Sequence, residues 1–122
     1  MGVFHVDCEI QNPASPGKSM EVKRVLVYTG AEYTWVSGAL LEKAGITVRK
    51  KDVPFVMANG QTVTRDVGYA IVRAQGFETI DEVVFARPGD LQLMGSRTLE
   101  GFAAILDPRK KKLVAAGPVA AV

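Results

Sequence analysis

The sequence predicts an all-β domain with two short helices, and three observations lead to that fold class. Eight short runs are rich in the β-branched and aromatic residues that favour strands. Turn residues separate most of these runs, and only segments 37–44 and 96–102 have helical spacing of apolar residues. With 122 residues, 48% of them hydrophobic, the chain has the length of one domain with a buried core, residues 1–122.

The predicted strands are joined by recognisable turns. Asn12 to Gly17 is rich in Pro, Ser and Gly and forms the first loop. Asn59-Gly60 is a strong hairpin signal because both residues tolerate positive φ, and Gln75-Gly76 is a second turn. The predicted strands are Val3–Ile10, Val22–Val27, Val53–Ala58, Gln61–Arg65, Gly68–Ala74, Glu78–Phe85, Ala103–Leu106 and Lys112–Ala115.

The two predicted helices each follow an apolar strand and a glycine turn, which gives a faint internal repeat. The first, 37–44, has an apolar face and is expected to stop at Gly45. The second, 96–102, places two large apolar residues three apart, and Ser96 is its candidate N-cap.

Three short segments hold the candidate functional residues. An apolar strand runs into a Thr-Gly-Ala turn at Tyr28, Thr29, Gly30 and Ala31. The Asn-Gly hairpin comprises Ala58, Asn59, Gly60 and Gln61. Two large apolar residues and a glycine precede the second helix at Leu93, Met94 and Gly95.

The order and spacing of these segments, together with a closing hairpin over 105–114, resemble the retropepsin-like (retroviral-type, clan AA) aspartic peptidases of the bacterial and archaeal type. The resemblance covers roughly residues 3 to 117. It implies an acid-protease-like closed barrel, one domain per chain, and a homodimer with a peptide or protein substrate in the cleft between subunits. It also implies that 58–61 form the flap and that 93–95 are the second signature of the family.

The resemblance places the catalytic aspartate at position 28, where this chain has Tyr28. Such a peptidase needs two carboxylates that share one proton, one from each subunit of a two-fold dimer. A phenol has a pKa of about 10, so it cannot act as the base near pH 5. The family pattern implies that Thr29 reaches across the axis, Gly30 permits the tight bend and Ala31 keeps the site small. We therefore expect peptidase activity to be lost.

Two alternatives stay open: an active aspartic endopeptidase whose acid comes from elsewhere, and a non-catalytic peptide-binding or dimerisation module. The nearest acid in sequence is Glu32. Asp107 precedes Pro108 in the closing hairpin and is expected to be structural. The candidate aspartates are Asp7, Asp52, Asp66, Asp81, Asp90 and Asp107.

Other chemistries are disfavoured by the composition. His5 and Cys8, the only histidine and cysteine, are three apart on a predicted strand and should point to opposite faces, so we expect no Cys–His nucleophile, metal or cofactor. The basic run 109–112 lacks interleaved aromatic residues and is expected to be a solvated hairpin tip, without nucleic-acid binding. No membrane segment or secretory signal is expected, and the single cysteine fits a reducing cytoplasm.

Overall fold

The computed structural model describes residues 4–122, so the predicted strand start at Val3 lies outside the described residues. Within this range the chain is rich in strands and has two short helices, α1 (Gly38–Lys43) and α2 (Ser96–Phe102). The predicted β-rich class is confirmed. The strands are β1 (His5–Gln11), β2 (Ser19–Val27), β3 (Thr34–Ser37), β4 (Val48–Val56), β5 (Thr62–Ala74), β6 (Phe77–Ala86), β7 (Leu93–Met94), β8 (Ala104–Asp107) and β9 (Lys112–Ala115).

Seven strands form one sheet in the order β1-β2-β7-β3-β6-β5-β4, and β1 also pairs with β5. The β2–β7 and β3–β6 pairs are parallel, whereas the other pairs are antiparallel. Strands β8 and β9 form a separate two-stranded sheet. Because the short β7 lies between β2 and β3, the end of β2 lies beside the segment that leads into α2.

Two apolar clusters hold the sheet and helices together. The larger one includes the fully buried side chains of Ile10, Leu41 and Met94, contributed by β1, α1 and β7. The smaller one includes Trp35, which is buried, and the Phe55 ring, whose centroid lies 5.1 Å from that of Trp35. Trp35 therefore belongs to the core of the domain.

Several strand predictions need correction. Strand β2 begins at Ser19 and not at Val22, β4 spans Val48–Val56 and not 53–58, and β7 was not among the predicted strands. Strand β3 was not predicted, because its four residues are almost wholly buried and show no alternation between apolar and polar positions. The two runs Gln61–Arg65 and Gly68–Ala74 form one strand, β5, that continues through Gly68. A side chain at Gly68 would lie 2.7 Å from the carbonyl oxygen of Thr47, so this glycine permits a close approach and does not mark a turn.

The helix predictions hold with one exception. α2 has its predicted bounds, and Gly45 follows the C-cap of α1 with a φ of +73°. The prediction that Ser96 caps α2 is wrong, because Gly95 is the N-cap residue and no side chain caps this helix. The Ser96 N–H instead donates to the carbonyl oxygen of Ala31 at 2.8 Å. Contact with the turn after β2 therefore replaces the local cap.

The predicted turns are also found. Gly60 has a φ of +84° in the loop between β4 and β5, and Gln75 and Gly76 both have positive φ between β5 and β6. Asp107 Oδ1 accepts the N–H groups of Arg109 and Lys110 at 3.0 and 3.1 Å. This bonding gives Asp107 the structural role expected of it and leaves the basic run 109–112 exposed.

Among the strands of residues 4–122, β4 lies at one end of the seven-stranded sheet and pairs with β5 alone. Its pairing shifts register twice, between Val48 and Lys50 and between Lys50 and Val53. Asp52 lies in the second irregular stretch with a φ of +53°, and Pro54 follows. The edge of the sheet is therefore irregular. In the part of the chain that the structure describes, no helix is long and apolar enough to cross a membrane.

Candidate functional site

The candidate site is built around the turn that follows β2. The Tyr28 N–H donates to the carbonyl oxygen of Met94 at 3.0 Å, and the Ala31 N–H donates to the Tyr28 carbonyl oxygen at 3.3 Å. The Tyr28 side chain is 51% exposed. Its ring folds back over Gly30, where an added Cβ would lie 2.5 Å from the ring Cζ. The phenol therefore covers the turn and also faces solvent.

The segment from β7 into α2 holds this turn through backbone bonds. The Ser96 N–H donates to Ala31, and the Arg97 N–H donates to the Glu32 carbonyl oxygen at 3.0 Å. Gly95 lies so close that an added Cβ would be 2.4 Å from the Tyr33 carbonyl oxygen. The structure thus brings together segments 28–31 and 93–95, and it explains why position 95 requires glycine.

A chain of side-chain hydrogen bonds lies behind Gly95, and its two threonines were not among the predicted site residues. The Gly95 N–H donates to Thr34 Oγ1 at 3.1 Å, and the Thr34 and Thr98 hydroxyls are 2.5 Å apart. The Thr98 hydroxyl donates to Asp81 Oδ2 at 2.9 Å. Both threonine side chains are fully buried. The available signal was a threonine inside an otherwise apolar buried run, at position 34.

The hairpin loop that joins β4 to β5 contains the predicted flap residues. Its ends are closed by Met57 N–H donating to Gln61 O at 2.8 Å and Gly60 N–H donating to Met57 O at 2.9 Å. The exposed residues of the loop are Ala58, Asn59, Gly60 and Gln61.

Aromatic packing connects the base of this hairpin to the chain just beyond the turn. The Phe55 and Tyr33 rings meet edge to face, with centroids 5.3 Å apart. The Arg97 guanidinium lies 4.6 Å from the centroid of the Tyr33 ring, and it donates to Glu82 at 3.0 Å. Hydrogen bonding from Lys50, with the positive charge of Arg97 nearby, lowers the pKa of the Glu82 carboxyl.

A bidentate ion pair joins the β5 end of the hairpin to the loop before β7. Arg65 Nε and Nη2 donate to Asp90 at 2.7 and 2.9 Å, and both side chains are only 12% exposed. Asp90 also accepts the Arg87 N–H at 2.8 Å. The Arg65 hydrogen bonds hold the pKa of the Asp90 carboxyl below its ordinary value. Asp90 and Arg87 thus form a turn shortly before the second signature.

Two of the other candidate aspartates accept backbone N–H groups away from the turn. Asp7 accepts the Arg24 N–H at 2.9 Å, and Asp66 accepts the Asp52 N–H at 3.1 Å. Among residues 4–122, no carboxylate forms a hydrogen bond with residues 28–31. Two open surface grooves of the described chain, of about 540 and 360 Å³, lie away from the turn.

His5 and Cys8 lie as predicted, since His5 is exposed and Cys8 is buried. Burial, with a smaller effect from the negative charge of Asp7, raises the pKa of the Cys8 thiol to about 12. Within the described range, no three His, Cys, Asp or Glu side chains are grouped so as to hold a metal ion.

Comparison with known proteins identifies the fold. No family model matches the chain, and no curated protein matches it. Among solved structures, it is similar to the retroviral protease-like domain of Ddi1 from Leishmania major, with a TM-score of 0.59 and 18% sequence identity. The match covers 94% of this chain and 89% of that chain. The chain has a retropepsin-like fold.

In this retropepsin-like fold, the two segments selected from the sequence are adjacent. Segment 28–31 ends the strand β2, segment 93–95 runs from β7 into α2, and backbone bonds connect them. Their contact depends on the parallel β2–β7 pair, which joins Leu26 to Leu93 and Val27 to Met94. Each chain contributes one turn of this kind, at residues 28–31, within the residues that the structure describes.

Proposed function

We propose that the chain is a retropepsin-like aspartic endopeptidase scaffold that acts as a homodimer and lacks peptidase activity. The observation that carries this proposal is Tyr28, which lies in the turn held by hydrogen bonds to Met94 and from Ser96 and presents a phenol there. In this interpretation, position 28 is the position of the dyad aspartate.

The chemistry of the turn supports inactivity. An aspartic dyad works because two nearby carboxylates share one proton, which leaves one as a base and one as an acid. A phenol is a much weaker acid than a carboxylic acid and cannot reproduce this sharing of one proton between two carboxylates. The Tyr28 ring also covers Gly30, in the space where a dyad would hold its water.

Features of the fold and the composition support the remaining parts of the proposal. One turn per chain requires a second copy to complete a dyad-like site, with Thr29 exposed and able to face its counterpart across the axis. The pairing of β1 with both β2 and β5 supports a closed barrel. The exposed hairpin 58–61 acts as the flap over an extended peptide or protein segment, held by main-chain bonds. The lone Cys8 supports a cytoplasmic location.

A second candidate is a non-catalytic peptide-binding or dimerisation module. The half-exposed Tyr28 side chain favours it, because a phenol can donate to a peptide carbonyl without any catalytic role. The third candidate is an active peptidase. It would need a catalytic carboxylate from outside the turn, and no carboxylate of the described residues is hydrogen-bonded to residues 28–31.

The test is a peptide-library cleavage assay from about pH 3 to 7, with and without pepstatin, the range being set by dyad pKa values. The samples are the chain as it is, Tyr28→Asp, and Tyr69→Asp as a matched control on β5, with dimerisation checked by analytical ultracentrifugation. We expect only Tyr28→Asp to cleave and pepstatin to block it. Pepstatin-sensitive cleavage by the unsubstituted chain would show that a carboxylate other than one at position 28 is catalytic. A dimeric Tyr28→Asp without activity would contradict a scaffold silenced at one position.

A further inference from the structure

The side-chain hydrogen bonds behind Gly95 form a connected path from β6 to the turn. We propose that Thr34, Thr98 and Asp81, here named the hydroxyl relay, are positioning residues that fix the turn 28–31 by holding the Gly95 amide. Thr34 and Thr98 are 64 residues apart in sequence, and each is fully buried. A buried hydroxyl without a partner is costly, so the relay is stable only when complete.

The hydrogen bonds of the relay can donate in only one direction, from Gly95 towards Asp81. Asp81 Oδ1 accepts the Glu82 N–H at 2.7 Å and Oδ2 accepts the Thr98 hydroxyl, so the carboxylate is an acceptor at both oxygens. Thr98 has then used its only proton and must accept from Thr34. Thr34 has used its proton in turn, which leaves its oxygen free to accept the Gly95 N–H. The carboxylate at one end therefore fixes an acceptor for the amide at the other.

Gly95 transmits this constraint because its neighbours hold the turn on both sides. Met94 accepts the Tyr28 N–H, while Ser96 donates to Ala31. Gly95 itself is packed against the backbone of Glu32 and Tyr33, with no room for a side chain. A shift of the Gly95 amide therefore displaces the carbonyl and the N–H that fix both ends of the turn.

Thr98→Val tests the relay, because valine keeps the shape of threonine and removes the hydroxyl, whereas Thr98→Ser keeps the hydroxyl. The measurement is amide hydrogen exchange by NMR at Tyr28, Ser96 and Arg97, with the fully buried Val72 in β5 as the reference for global opening. We expect Thr98→Val to speed exchange of the three amides by about tenfold relative to Val72, as for one lost hydrogen bond. Thr98→Ser should restore protection.

The proposal would be overturned if exchange were equally faster at all four amides, or if it were unchanged at all of them. A relay that only stabilises the core would not affect the amides of the turn selectively. If Thr98→Val fails to fold, the Thr34→Val and Thr34→Ser pair provides the same comparison. Asp81→Ala should have the same selective effect, with Asp66→Ala as the control acid. The Asp81→Ala and Thr98→Val effects should not add, because both break one chain, and additive effects would contradict the relay.

The link to activity rests on the proposed function and is tested separately. In the Tyr28→Asp background, Thr98→Val should lower kcat by about tenfold or more with little change in KM, since a misplaced turn affects the reacting groups. Thr98→Ser should recover kcat, and an unchanged kcat in Thr98→Val would overturn the positioning role. If Tyr28→Asp is itself inactive, the proposed function fails while the exchange measurement still decides the relay.

Discussion

Replacing Asp90 by Asn removes one charge from the ion pair with Arg65 and should destabilise the fold. Two opposite charges about 4 Å apart attract by about 4 kcal/mol at an effective dielectric constant of 20. Desolvation of side chains that are only 12% exposed offsets part of this attraction. Loss of one partner, however, leaves the Arg65 guanidinium without its counterion. Because the amide oxygen still accepts one bond, we expect a loss of about 2 to 3 kcal/mol.

Thermal unfolding at pH 7 is the first measurement. For 122 residues, the entropy of unfolding is about 0.26 kcal/mol/K, so the melting temperature should fall by about 10 °C. Asp66→Asn is the matched control, since Asp66 accepts one backbone N–H at 3.1 Å from a partly exposed position. Its loss should be below about 1 kcal/mol.

The pH dependence gives the sharper test. Hydrogen bonds from Arg65 lower the pKa of Asp90 below its ordinary 3.8. The pair therefore contributes its full stability above that ordinary value and loses it as the pH falls through the lower folded pKa. The difference between the chain and Asp90→Asn should be complete at pH 7 and shrink below about pH 4. A difference that stays constant down to about pH 2.5 would refute the reasoning.

Two further predictions concern close packing and thiol chemistry. Gly95→Ala should cost about 3 kcal/mol or more, because its Cβ would lie 2.4 and 2.5 Å from two backbone carbonyl oxygens, whereas Gly17→Ala has open space and should be nearly neutral in urea unfolding. Equal stability of the two variants would contradict the observed contact. With its pKa raised to about 12, the Cys8 thiol should react with a disulfide reagent at pH 8 only as fast as the chain unfolds. Rapid labelling of the folded protein would contradict its burial.

Local signals were sufficient to predict much of this fold. The bounds of α2, the Gly45 stop and the two glycine hairpins follow from spacing and from residues that tolerate positive φ. Strand β3 was missed because a short parallel strand buried on both faces has no period of two. Strand β5 was divided in two at residues 66–67, where Asp66 interrupts the run of strand-favouring residues, although the observed strand continues through this point.

The candidate site was predictable only in part. Motif order selected residues 28–31 and 93–95, and the parallel β2–β7 pair brings them together. The hydroxyl relay was beyond sequence reasoning, since its members come from β3, β6 and α2 and none has a nearby partner in sequence. Arg65 and Asp90, 25 residues apart, were missed as a pair for the same reason. Such pairs depend on the tertiary fold and leave no periodic pattern.

The irregular β4 has a consequence for the behaviour of concentrated solutions. A flat terminal strand offers its unpaired backbone groups to another molecule, and such addition can continue into fibrils. Here the two register shifts, the positive φ of Asp52 and the missing N–H of Pro54 break that row of groups into short stretches. Lys50 and Lys51 add charge to the same strand. Regularising β4 in a redesigned chain would remove these interruptions, and we therefore expect such a chain to be more prone to strand-by-strand growth.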